Sequence, residues 1–138
     1  MAVGLQSCNN NPEEQIDCES FDYKNGFFIK AKNNICPSVR IYKYEKGTTS
    51  PIDSTTQEIV KCDLQAGKYY CINYKINTSY NYKLIINDSL QFVFSDIISA
   101  SHKYSGGFMN GSYFECRINS YKLNSEIKIG HELEIEIK

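Results

Sequence analysis

The last seven residues constrain the fold more than any other stretch. Leu133, Ile135 and Ile137 alternate without a break with Glu132, Glu134, Glu136 and Lys138. A helix would scatter these apolar side chains around its surface. A strand puts them all on one face and the charges on the other, as a half-buried strand requires. A chain that ends this way must supply a sheet for the strand to join and a core for its apolar face to enter.

The same period of two runs through most of the chain. Phe27, Ile29 and Ala31 fall on one face of a first strand, and Val39 and Ile41 on one face of a second, with Tyr42 and Tyr44 opposite. Residues 59–64 and 69–76 read as a third and fourth, separated by Gln65-Ala66-Gly67-Lys68. Residues 80–86 and 90–98 form a hairpin turning at Asn87-Asp88, two residues that tolerate the left-handed backbone of a tight turn. Phe114, Cys116 and Ile118 continue the alternation. Ser54 to Gln57 has the spacing of a helix-capping box, but the β-branched pair Ile59-Val60 and the turn after it favour a strand there too. About seven or eight short strands with little helical signal predict an all-β chain, an antiparallel β-sandwich. At 138 residues there is room for one such domain. We place it at residues 21–138, behind a polar N-terminal tether at residues 1–20 that holds Asn9 to Asn11, Pro12, Glu13 and Glu14.

The chemistry the sequence announces is sparse. A net charge of −1 with no basic stripe argues against nucleic acid. No stretch approaches the roughly 20 apolar residues of a membrane-spanning helix. No phosphate-cradling glycine loop or carboxylate cluster is present, so no cofactor or metal is expected. A nucleophilic cysteine needs an exposed, electropositive setting, which Cys116 on an apolar strand face does not offer to His102 or His131. We therefore expect no catalytic residues and no enzyme. The acidic row Glu132, Glu134 and Glu136 reads as a solvated strand face that discourages edge-to-edge pairing.

The six cysteines, Cys8, Cys18, Cys36, Cys62, Cys71 and Cys116, include no Cys-x-x-Cys pair. That spacing argues against a local zinc knuckle and for an oxidising compartment. A two-residue turn at Ala66-Gly67 would set Cys62 opposite Cys71 at disulfide distance; a bulged turn at Gly67 would set it opposite Tyr70 instead. Cys116 reads as a buried thiol, and the pairing of Cys18 and Cys36 is not readable. Residues 99–112 lack clear alternation and read as a loop in which Tyr104, Phe108 and Met109 either present a binding surface or fold back onto the core. Tyr69, Tyr74, Tyr80 and Tyr82 offer either an aromatic face for a sugar or protein or half-buried packing. Asn77-Thr78-Ser79, Asn87-Asp88-Ser89 and Asn110-Gly111-Ser112 match the N-glycosylation pattern.

Leu5-Gln6-Ser7-Cys8 resembles the lipobox of bacterial lipoproteins, in which the cysteine takes a diacylglyceryl group and becomes the mature N-terminus. With the polar stretch Asn9-Asn10-Asn11-Pro12-Glu13-Glu14 behind it, the segment looks like the tether of a Bacteroidetes-type envelope lipoprotein. Residues 1–7 would then be the remnant of a signal peptide. The stretch Leu64-Gln65-Ala66-Gly67-Lys68-Tyr69-Tyr70 is similar to a strand entry of transthyretin-like and immunoglobulin-like sandwiches. Together these resemblances imply a non-enzymatic binding or assembly module. It would be held to the outer membrane through a lipid on Cys8 and would meet a protein or glycan partner in the cell envelope. The alternative is a soluble, secreted, disulfide-bonded interaction domain without the anchor.

Overall fold

The computed structural model describes residues 18–31, 38–61, 69–105 and 112–137. In chain order the strands are β1 (Asp22–Tyr23), β2 (Phe27–Ala31), β3 (Ser38–Glu45), β4 (Asp53–Lys61), β5 (Tyr69–Ile72) and β6 (Ile76–Asn77). They continue with β7 (Tyr80–Ile86), β8 (Leu90–Ser105), β9 (Ser112–Leu123), β10 (Glu126–Ile129) and β11 (Leu133–Ile137). The described residues contain no helix, so the capping-box spacing at Ser54 does not start one.

One sheet carries the order β10-β9-β8-β7-β3-β4-β5-β2-β11, and β1 and β6 form a small ribbon beside it. The large sheet turns a corner within β4: Asp53–Glu58 pairs with β3, whereas Ile59–Lys61 pairs with β5. The two halves fold face to face. Phe27 on β2 stacks on Phe94 of β8 at 5.0 Å and meets Tyr82 of β7 edge-on. The result is a β-sandwich in which each inner face contributes alternate residues to one core. That core includes Phe27, Ile29, Ile72, Leu133 and Ile135 from one layer, and Ile41, Leu84, Ile86, Phe94 and Ile118 from the other.

The pairing is antiparallel throughout except at one place. β11 runs parallel to β2, Leu133 beside Phe27 and Ile137 beside Ala31. Parallel neighbours require a long crossover, and here almost the whole domain lies between them. The burial patterns of β2 and β11 match the alternation of their sequences, with Phe27, Ile29, Ala31, Leu133 and Ile135 all inside. Asn87 and Asp88 hold φ of 57° and 59° and close the β7–β8 hairpin as expected. Asn124 and Ser125, at 51° and 71°, close a two-residue β9–β10 hairpin. Gly26, at φ 70°, sits where a Cβ would overlap the Ile72 carbonyl oxygen, so the entry to β2 demands glycine.

β8 is 16 residues long and bulges after Ser95, where Asp96 takes a φ of 46°. The bulge lets Phe94 and Ile97 both point inward although three residues apart, and it turns Ile98 outward. This break in parity hid the strand beyond residue 98. Residues 99–105 are not a loop: Tyr104 belongs to β8, opposite Tyr113 of β9.

Candidate functional site

The fold brings the two ends of the large sheet to the same side of the molecule. A recess of about 670 Å³ lies where β9 and β10 approach β11. Phe92, Tyr121 and Leu123 supply its apolar lining; Glu126, Lys128, Glu132, Glu134 and Glu136 supply its charge. The Tyr121 hydroxyl spans the gap and accepts a 3.2 Å hydrogen bond from the Glu134 backbone N–H. Burial raises the pKa of that phenol. Among the described residues β11 has a strand neighbour only on its β2 side, so this N–H bonds to a side chain where an inner strand would offer a carbonyl.

A second recess, of about 560 Å³, adjoins the first and shares His131 and Glu132 with it. Tyr23, Lys24, Glu115 and Arg117 are among its other lining residues. Burial pushes the Tyr23 phenol up to about 12. His131 Nδ1 lies 2.7 Å from the Ile118 carbonyl oxygen; a carbonyl can only accept, so Nδ1 carries the proton. The rings of His131 and His102 meet edge to face at 5.0 Å, and His102 Nε2 is buried with no hydrogen-bond partner among the described residues. Among those residues no group of three or more His, Cys, Asp or Glu is placed to hold a metal ion.

The N-terminal segment is fastened beside this second recess. Cys18 is disulfide-bonded to Cys116 of β9, with a Cα–Cα distance of 5.5 Å across a sequence separation of 98. Thr78, the one buried polar residue among those described, accepts from Phe21 N–H through its hydroxyl, while its own N–H donates to Phe21 O. Asn77 Nδ2 donates to Asp22 Oδ1 at 2.8 Å, and that bond holds the Asp22 carboxyl below its usual range. Residues 18–20, read from sequence as tether, thus belong to the domain. The Asn77-Thr78-Ser79 glycosylation match is a hydrogen-bonded clip.

The other sequence expectations divide. Cys8, Phe108 and Met109 lie outside the described residues, and so do Asn110 and Gly111. Cys116 is not a core thiol but half of a disulfide, a pairing that no local spacing signals. Cys71 is also oxidised; Cys62, its expected partner, lies outside the described residues. The register expected of that pair is not the one between β4 and β5, where Val60 stands opposite Cys71. Tyr82 is buried and bonded to the Asn77 backbone, and Tyr74 and Tyr80 pack against the core, so three of the four tyrosines considered for a recognition face serve packing. The side chain of Tyr69 is outside the description. The paired recesses went unseen in sequence because each is assembled from strands far apart in the chain. Compared with known proteins, the chain matches no family model, no curated protein and no solved structure.

Proposed function

We propose that this protein is a non-enzymatic cell-envelope lipoprotein of the Bacteroidetes type. Its sandwich, immunoglobulin-like or transthyretin-like in finer class, serves as a binding module. The observation that carries the binding reading is the outer edge of β11, which no strand among the described residues covers. Among those residues only the Tyr121 hydroxyl, which an added strand would displace, meets the Glu134 N–H there, beside a recess of mixed apolar and acidic lining. A segment that adds there as a further strand would gain main-chain hydrogen bonds from β11 and an apolar surface from Phe92, Tyr121 and Leu123. The acidic row Glu132, Glu134 and Glu136 sets its chemistry: alternating apolar and basic residues, the basic ones answering the glutamates. The same row turns away acidic strands.

A fluorescent peptide alternating lysine with valine is the probe. It is expected to bind, and a Glu134→Lys/Glu136→Lys variant is expected to bind it about tenfold more weakly. A Glu45→Lys/Glu58→Lys control, changed on exposed glutamates of β3 and β4, should bind as wild type. Equal binding of a glutamate–valine peptide, or undiminished binding by the β11 variant, would refute the reading.

Export is supported by the oxidised Cys18, Cys71 and Cys116, since such bonds persist outside the reducing cytosol. With lipid on Cys8, the ten residues from Cys8 to Cys18 reach at most about 35 Å, which keeps the domain close to the bilayer. Radiolabelled palmitate fed to expressing cells is expected to enter the protein and to be lost in Cys8→Ala. Undiminished labelling of that variant would refute the anchor at Cys8, and a wild-type chain that takes up no label would leave the soluble, secreted alternative.

A further inference from the structure

The other end of the large sheet, β10, differs in charge from β11. Its sequence is Glu126-Ile127-Lys128-Ile129. Glu126 and Lys128 share the recess face, where they form a 2.8 Å ion pair. The isoleucines alternate with them along the strand, Ile127 66% exposed and Ile129, which also reaches the rim of the recess, 80% exposed. Ile98, 53% exposed, extends this apolar face: it and Ile129 both lie opposite Ser120 of β9, one on each side. Few strand edges leave two neighbouring isoleucines so bare.

The hairpin fixes which backbone groups are free. In a two-residue hairpin the closing residues, here Leu123 and Glu126, exchange hydrogen bonds. Gly130 N–H likewise donates to Asn119 O of β9. Even-numbered residues of β10 therefore bond inward to β9, and Ile127 and Ile129 turn their N–H and C=O outward. An antiparallel strand must then set odd-numbered residues opposite odd-numbered residues. For a second copy of β10, the register with Ile127 on the two-fold axis puts Glu126 opposite Lys128 of the second copy, twice. Sliding one way sets Glu126 against Glu126; sliding the other sets Lys128 against Lys128. One register alone matches both the hydrogen bonds and the charges.

We infer that β10 is a self-association edge, through which two copies of this chain join in an antiparallel pair centred on Ile127. The pair joins two sheets edge to edge and places the Ile98–Ile129 surfaces of both copies beside the seam. β11 cannot serve in the same way, because its acidic row would oppose itself. The two edges thus have separate roles, and this inference stands whatever β11 binds.

Sedimentation velocity of the full chain over a concentration series tests the pairing. Wild type is expected to show a monomer–dimer equilibrium. Glu126→Lys alone and Lys128→Glu alone each put like charges across the axis and should weaken the dimer about tenfold. An equimolar mixture of these two variants should recover wild-type association, because every lysine of one chain then meets a glutamate of the other. Loss of the ion pair within each chain affects the mixture as much as its components, so only pairing across the axis explains recovery. A wild-type chain that stays monomeric at its highest soluble concentration overturns the inference. So does a dimer unaffected by either change, or a mixture no tighter than its parts.

Discussion

A Cys18→Ser/Cys116→Ser variant loses about 4 kcal/mol of stability, read as a lower urea midpoint. The bond closes a loop that spans a sequence separation of 98, and long loops are those whose closure costs the unfolded chain most entropy. On the native side the segment is held besides by Tyr23, buried in the core with Phe21 against it, and by a small ribbon. Phe21 and Thr78 exchange two backbone-anchored hydrogen bonds, and Asp22 with Tyr23 forms a two-residue strand. Such a ribbon is marginal alone. Hydrogen exchange at the amides of Phe21 and Thr78 should therefore accelerate in the variant far more than at Leu84 or Ile41 in the core. A loss below about 1 kcal/mol would mean that the β1–β6 clip holds the segment without the bond.

Phe27→Ala is expected to cost about 4 kcal/mol, a large part of the stability of a domain this size. Phe27 has no exposed surface and is the ring that joins the layers: Phe94 stacks on it at 5.0 Å, and Tyr74 and Tyr82 flank it at 6.2 Å each. Its removal leaves a cavity where β2, β7 and β8 meet, which the rigid sheets cannot collapse to fill. Phe27→Leu keeps much of the volume and should cost under about 1.5 kcal/mol. In urea titrations, a Phe27→Ala/Phe94→Ala double variant should fall short of the summed single losses by about 1 kcal/mol, the part owed to their stacking. Full additivity would show that the two rings do not work as a pair.

Burial tunes the tyrosines of this core in one direction. The phenol of Tyr82, enclosed near Phe27 and bonded to the Asn77 backbone, is pushed up to about 12 by desolvation, as Tyr23 is. A phenol with a raised folded-state pKa contributes its full share of stability below its ordinary value of 10. That share is lost as pH rises from there through the folded value.

The all-β character, the faces of β2, β3 and β11, and the turn at Asn87-Asp88 were all legible in the sequence, because alternation and turn chemistry act between residues close in the chain. Leu133 and Ile135 had to point inward whatever strand lay beside them. Where one residue is inserted, that local rule fails: the bulge at Asp96 shifts the parity of β8, and the strand running on to Ser105 looks like a loop. Sequence likewise marked Cys116 as inward on a strand without naming Cys18 as its partner.

The tertiary structure alone decided the partners. β11 meets β2 in parallel because both carry one apolar face and the fold leaves them adjacent, not because anything near either strand specifies it. The corner in β4 folds the sheet over itself and so sets β10 and β11, the two edges left unpaired among the described residues, around one acidic recess. Periodicity reports which way a side chain faces, since that depends on the residue's own backbone. Neighbours across a sheet are chosen by how all the faces close around a single core, and no short stretch of chain contains that information.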